Sequence, residues 1–293
     1  MLDAPFQIVI NSVVNGLLLS LMAIGFTYIF RVTRVFHLAH GAIFVSGAFS
    51  FWWGLSLTAN WLLSGILALG ICALLIYLIE KVVYLPLSKK QTNQSISLIA
   101  SMGLYAVVIN ILALVFGNEN KMLSGFATNS YNFGNLILTN IQIYQVAASA
   151  MIIVAYGLLQ KFSRTGLVLQ AISDNESIGQ VIGINTDRER LKVFIIGSIF
   201  ACIAAILRMM DVGMDVHTGM GITLTAAVVA ILVSRLSISL ILVFTIALSL
   251  LQNVTEWFLN AQWRDGITFV ILLLVILFRT EGVISYNLRK DRA

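Results

Sequence analysis

Nine apolar runs follow one another along this chain, at about 6–30, 39–58, 61–79, 95–116, 143–160, 193–210, 220–234, 236–258 and 267–278. A helix needs about 20 apolar residues to cross the hydrocarbon core of a bilayer, and only helices and closed barrels satisfy their backbone there. The expected fold class is therefore all-α, a polytopic transmembrane helical bundle of eight or nine spans. The count is open because the turn at 31–38 and the break at Arg235 are each short enough to belong to a re-entrant segment. The chain is 59% hydrophobic and 11% charged, against about 25% charged in soluble domains, so it cannot wet its whole surface. Residues 1–293 are read as a single transmembrane domain. The opening MLDAPF has no Lys or Arg before its apolar run, so the first span is expected to be kept, not cleaved.

Charge orients the bundle. Fifteen of the 18 Lys and Arg fall in turns around 31–34, 81–90, 161–192, 235 and 279–292, all on one side if the runs alternate. Lys121 and Arg264 fall on the other side, and Arg208 lies within a run. Such a bias puts the N-terminus outside and the C-terminus in the cytoplasm. The net charge of +5 then reflects basic loops beside anionic membrane lipid and implies no nucleic-acid partner. Residues 117–141, rich in Asn, Ser, Thr and Gly, form an outer loop. Cys72 and Cys202 sit within apolar runs as packing residues, with no disulfide or metal framework.

The longest charged stretch, 161–192, carries Lys161, Arg164, Arg188, Arg190 and Lys192 against Asp174, Glu176, Asp187 and Glu189. Within it Val168, Ala171, Ile172, Ile178 and Ile182 recur on roughly one helical face, which predicts a short amphipathic helix over 166–183. Gly183 stands where a left-handed cap would end it. Two readings stay open for this segment: an ordinary solvated loop, or a helix that passes motion to a soluble partner.

Polar residues inside the runs are costly in lipid unless paired or facing a water-filled path. Asn11 and Asn15 lie one helical turn apart in the first run, suited to interhelix hydrogen bonding or to such a path. His37, His40, Gly41 and Gly47 mark the mouth of the second run, where the glycines permit close backbone approach or a helix break, and Asn110 interrupts the fourth. Pro86, after Glu80 and Lys81, is expected to end the third helix. Gly197, Ala201 and Ala205 form a small-residue stripe for tight packing. Arg208 and Asp211, one turn apart, suit an interfacial pair with the arginine reaching outward, and Asp211, Asp215 and His217 face the outside.

Three stretches together resemble the LivH-type permeases of bacterial ABC importers for branched-chain amino acids. They are NGLLLSLMAIGFTYIFRVTRVFHLAHGAIFVSGAF (15–49), EKVVYLPL with SLIASMGL (80–87 and 97–104), and 165–205 from TGLVLQAISDN through VIGINTDRERLKVFIIGSIFACIAA. The pairing of Ala-His-Gly at 39–41 with Gly-Ile-Asn at 183–185 carries most of the specificity. The chain departs from the family pattern at His37, Ala42, Gln170 and Gly179, lacks a Gly-rich turn within 226–240, and lacks a Pro in RTEG at 279–282. The resemblance implies a multi-pass protein of the bacterial inner membrane. It also implies cytoplasmic ATP-binding subunits, a second permease subunit (a similar chain or a second copy) and a periplasmic substrate-binding protein as partners.

The chain has no G-x-x-x-x-G-K-[ST] phosphate loop, no zinc-ligand pattern and no nucleophile elbow, so no catalytic residue, metal or cofactor is assigned. A permease needs instead a path lined by small and polar groups and a contact through which an ATPase drives it. Asn11, Asn15, His40, Gly41, Gly47 and Asn110 form the candidate path, with the Gly-bearing segment 38–47 as the candidate helix break. Val168, Ala171, Ile172, Asp174, Glu176, Ile178 and Gly183 form the candidate coupling contact. The substrates expected are branched-chain or other small neutral amino acids, with amides or urea as further options. The alternative class is an ion-coupled transporter or channel for a small polar solute, which the scarcity of membrane-embedded carboxylates disfavours.

Overall fold

A computed structural model describes residues 3–90, 92–123, 129–133, 136–233 and 236–278. Its first elements are α1 (Asp3–Thr33), α2 (His40–Thr58) and α3 (Trp61–Ile79). A π-helical turn (Glu80–Tyr84) then leads into α4 (Leu85–Lys89), followed by α5 (Gln94–Phe116). Strands β1 (Ser130–Phe133) and β2 (Leu136–Thr139) make an antiparallel hairpin in the loop before α6 (Asn140–Phe162). The chain continues through α7 (Arg164–Asp174), α8 (Glu176–Val181) and α9 (Thr186–Val212). It ends in α10 (Thr218–Leu232), α11 (Ile238–Phe258) and α12 (Trp263–Phe278). Arg235 and the basic tail 279–293, used above for orientation, lie outside the described residues.

Among the described residues the nine apolar runs become nine helices, and seven of them are long and apolar enough to cross a membrane. The other two, α10 and α12, have 15 and 16 residues. At 1.5 Å per residue α10 is about 22 Å long, short of the hydrocarbon thickness of about 30 Å. It is preceded by non-helical backbone at 213–217, where Lys121 and Met214 form a β-bridge with the outer loop.

The third helix does not stop at Pro86. The π-turn carries helical backbone past Glu80, and Pro86 follows in the first turn of α4. The segment expected to be one helix over 166–183 is two, α7 and α8. Asn175 adopts extended backbone (φ −155, ψ 107), closes α7 and caps α8 by accepting the Ile178 N–H at 3.2 Å. Local capping thereby overrode a continuous apolar period.

Helix α1 is the centre of the bundle, packed by α6, α9, α10 and α11, with Leu21, Met22, Ile24 and Phe26 fully buried. Helix α2 lies between α3, α5, α9 and α10. The small-residue stripe of α9 is buried as expected, and a Cβ on Gly25 of α1 would stand 2.7 Å from the Gly197 carbonyl oxygen. Such contact at backbone distance is how membrane helices associate without a hydrophobic driving force. Helices α5, α6 and α12 show large apolar side chains outward, Leu114 being 87% exposed, as a lipid-facing rim requires.

Candidate functional site

The ends of α9 through α12 that lie on the same side as the hairpin surround a cavity of about 380 Å³. Its wall combines charged and polar groups (Arg208, Asp215, His217, Arg264, Asp265, Asn15, Gln252) with Leu18, Leu19, Phe44 and Ile222. Asp215 owes its position to the start of α10. Its Oδ1 accepts the N–H of His217 at 2.7 Å and of Thr218 at 3.0 Å, and its Oδ2 accepts the Thr218 hydroxyl at 2.9 Å. Arg264, in the first turn of α12, pairs with Glu256 of α11 at 3.5 Å. Gln252 donates to Thr268 at 2.8 Å and to Thr225 at 3.4 Å, joining α10, α11 and α12.

Arg208 and the exposed Asp265 make no such bond, but Arg208 lies in the field of the Asp211, Asp215 and Asp265 carboxylates. The Nε of Arg208 is buried without a hydrogen bond, and Arg208 takes part in none of the ion pairs among the described residues. Asp265 rests against α10, where a Cβ on Gly221 would stand 3.0 Å from its Oδ1, and it makes no side-chain hydrogen bond or ion pair among the described residues.

Of the six candidate path residues, Asn15 alone lines this cavity. Asn11 accepts from Gln7 at 3.0 Å, and Gln7 is itself tied to the backbone of Ile137 in the hairpin. His40 is fully buried, its ring edge-on to Phe26 at 6.0 Å. Gly41 sits where α2 crosses α10, and a Cβ there would stand 2.5 Å from the Gly219 carbonyl oxygen. Gly47 packs on Cys202, 2.9 Å from Sγ by the same measure, and Asn110 faces outward from α5 while donating to the Ala106 carbonyl at 2.7 Å. The segment 38–47 is a helix from His40 onward, with turns at 38–39. Sequence reasoning did not select Asp265 or Gln252, and it read Arg208 as an interfacial side chain. The available signal was that Arg208, Asp215, Arg264 and Asp265 all fall at the same end of successive apolar runs.

At the opposite, basic end the α1–α2 turn is clamped from several sides. His37 Nδ1 lies 2.8 Å from the Tyr84 hydroxyl, which donates to Ser101 Oγ at 2.9 Å, and that oxygen also accepts the Ala39 N–H at 3.0 Å. Burial, and after it the neighbouring His40, push the His37 imidazole well below its ordinary range, so it is neutral. Tyr84 stacks on Phe194 of α9. Arg190 of α9 pairs with Glu80 at 3.5 Å, both side chains being nearly fully buried, and donates to Ser88 at 2.9 Å.

The charged segment lies beside this turn. Ser163 caps α7 by accepting the Gly166 N–H at 3.2 Å, and Leu169 and Ile172 are buried beside α1. Arg34 donates to the Ser173 carbonyl at 2.7 Å. Gly183 takes φ +88 after α8, with its N–H on the Gln180 carbonyl at 3.0 Å, and Asn185 caps α9. Of the predicted apolar face, Ile172 points into the bundle, Val168 is half-buried, and Ala171, Ile178 and Ile182 are exposed. Val181 of α8, which the periodicity did not select, is 86% exposed beside them. Asp174 and Ser177 are exposed and Glu176 is half-buried.

Comparison with known proteins follows the same lines. The family model described as branched-chain amino acid transport system / permease component matches residues 8–276. The high-affinity branched-chain amino acid transport system permease protein LivH of Escherichia coli K12 is 24% identical over 294 residues, covering 95% of each chain. The permease protein BraD of Pseudomonas aeruginosa is likewise 24% identical over 295 residues, with 95% of each chain covered. Among solved structures, a chain of PsaBC from Streptococcus pneumoniae in complex with Fab shares the fold at TM-score 0.53 and 11% identity, covering 91% of this chain and 90% of that one. A polytopic helical bundle and a match across nearly the whole length place this chain in the branched-chain amino acid transport system permease family.

Proposed function

We propose that the chain is the permease subunit of an ABC importer in a bacterial inner membrane, moving branched-chain or other small neutral amino acids inward. Residues 1–293 act as one permease domain, and the chain itself catalyses no reaction; ATP is hydrolysed by cytoplasmic subunits that bind it. A second permease subunit completes the translocation unit, and a periplasmic binding protein delivers the substrate. The observation that carries this reading is α8, with Ile178, Val181 and Ile182 exposed at the basic end of the bundle. A short helix held rigidly by caps at both ends, showing apolar side chains to the cytoplasm, suits a groove on a soluble partner. The ATPase shifts the permease between inward- and outward-open states only by binding them with different affinity. Segment 163–185 is therefore the place where that difference is expressed.

Reconstituted complex provides the test. Ile178→Asp places a charge in the groove and abolishes ATPase association or its stimulation by loaded binding protein, while Glu176→Gln leaves both near normal. Gly183→Val also uncouples, because a β-branched residue is poorly tolerated at positive φ. Full association and stimulation in Ile178→Asp would make the segment a plain linker.

A further inference from the structure

We propose that a second cavity, at the basic end of the bundle between α1, α6, α7 and α11, binds a phosphate group, supplied by a phospholipid headgroup of the leaflet at that end or by free inorganic phosphate. The inference stands apart from the importer reading and concerns a different end of the molecule from the cavity described above.

The cavity encloses about 370 Å³. Its polar wall is made of hydrogen-bond donors drawn from three helices, and no carboxylate lies on it among the described residues. Helix α11, of 21 residues, starts there. Ser237 is its N-cap and makes no side-chain cap bond, and Ser237, Ile238 and Ser239 all line the space. The first helical bond to a later residue runs from the Ile241 N–H to the Ser237 carbonyl at 3.1 Å, so the N–H groups before it have no partner within the helix. The two serine hydroxyls stand 3.0 Å apart on the same wall. A helix N-terminus of this kind carries partial positive charge and unsatisfied donors, which suit an anion.

A second observation from another helix points into the same space. Tyr28 of α1 is only 3% exposed, and its hydroxyl, without a hydrogen bond among the described residues, opens on the cavity. Its neighbour Tyr156, edge-on at 5.4 Å, is satisfied, because its hydroxyl accepts from Gln160 at 2.7 Å. A buried hydroxyl left without a partner is unfavourable, and an anion oxygen in the cavity would accept from it. Lys161, exposed at the end of α6, adds a full positive charge at the mouth and takes part in none of the ion pairs among the described residues.

The number and spread of donors select the ligand. An ammonium, hydroxyls from two helices and the start of a third of the bundle's longer helices exceed what the two oxygens of a carboxylate can use, whereas a phosphate presents oxygens on every side. The volume leaves room for an ester substituent beside the phosphate. Gly166 and Gln170 of α7 close one wall, so a bound phosphate would bridge the charged segment to α1 and α11.

The test uses the full-length chain, purified in detergent and stripped of lipid. Its Tm is followed as sodium phosphate is added against sodium chloride at matched ionic strength, and in parallel as phosphatidylglycerol or phosphatidylcholine is added in mixed micelles. At least one phosphate source is expected to raise Tm saturably. A saturable shift with inorganic phosphate identifies the free anion as a ligand; a shift with phosphatidylglycerol alone, stronger than with phosphatidylcholine, identifies a lipid headgroup. Tyr28→Phe keeps the ring against Tyr156 and is expected to raise the half-saturating concentration about ten-fold. Lys161→Gln is expected to raise it about three-fold. Ser237→Asp places the chain's own carboxylate at the start of α11, and is expected to melt no lower than wild type without phosphate while losing the shift. No saturable shift from either source, or half-saturating concentrations that Tyr28→Phe and Lys161→Gln leave unchanged, overturns the assignment. The wild-type titrations and Tyr28→Phe decide the matter even if Ser237→Asp fails to fold.

Discussion

Arg34 reaches from the α1–α2 turn to the last turn of α7, its Nη2 donating to the Ser173 carbonyl at 2.7 Å. Arg34 itself has φ 57, so the turn is held in a left-handed conformation at the residue that makes the link. The far side of the same turn rests on Tyr84 and Ser101 through His37 and Ala39. The charged segment is thus fastened to the central helix α1 and, through the turn, to α2.

Arg34→Ala should weaken that fastening. A hydrogen bond from a charged donor contributes about 1.5–3 kcal/mol, and its loss frees α7 to move without carrying the turn. ATP hydrolysis by the reconstituted complex should continue while leucine uptake per ATP falls several-fold. Unchanged stoichiometry would show that α7 transmits nothing through Arg34.

Gly41 is now expected to act through packing. A Cβ at 2.5 Å from a backbone oxygen of α10 cannot be relieved by turning a side chain, so Gly41→Ala forces α2 and α10 apart. Overpacking of this kind costs about 1–3 kcal/mol. Thermal unfolding in detergent should shift down and membrane abundance should fall with uptake; a normal unfolding temperature would place the residue in an open space.

The buried Glu80–Arg190 pair makes a prediction of its own. Arg190→Leu leaves a carboxylate in an apolar surrounding and should cost about 3–5 kcal/mol. Adding Glu80→Met should restore much of that stability, because removing both charges removes the uncompensated one. Denaturant unfolding of the single and double variants checks this, and a double variant as unstable as the single one would contradict it.

Orientation is tested by cysteines at Asn129, in the outer loop, and Ser177, in α8, both exposed and at opposite ends of the bundle. In intact cells an impermeant maleimide should label Asn129→Cys and spare Ser177→Cys. The reverse pattern would invert the topology.

Much of the fold was legible because hydropathy and charge are local properties. The runs at 39–58, 61–79 and 95–116 became helices at His40–Thr58, Trp61–Ile79 and Gln94–Phe116 with almost no change of boundary. The position of the charged segment and the left-handed Gly183 were equally readable from composition and glycine placement. Where local signals competed, the reading failed: the cap at Asn175 divided a continuous apolar period, and the π-turn carried the third helix through Pro86. The hairpin at 130–139 went unseen because its short strands lie in a polar loop with little alternation.

By itself, then, the sequence determined that this is a membrane bundle and which loops are basic, since each follows from the transfer of single residues between water and lipid. Only the tertiary structure decided which polar residues meet. Asn11 and Asn15 share a helical face, yet the first binds a neighbour at the hairpin and the second reaches the cavity. Arg208 and Asp265 stand 57 positions apart on helices whose mutual placement no local pattern encodes. Which charges meet depends on which helix ends converge, and that is settled by packing across the whole bundle.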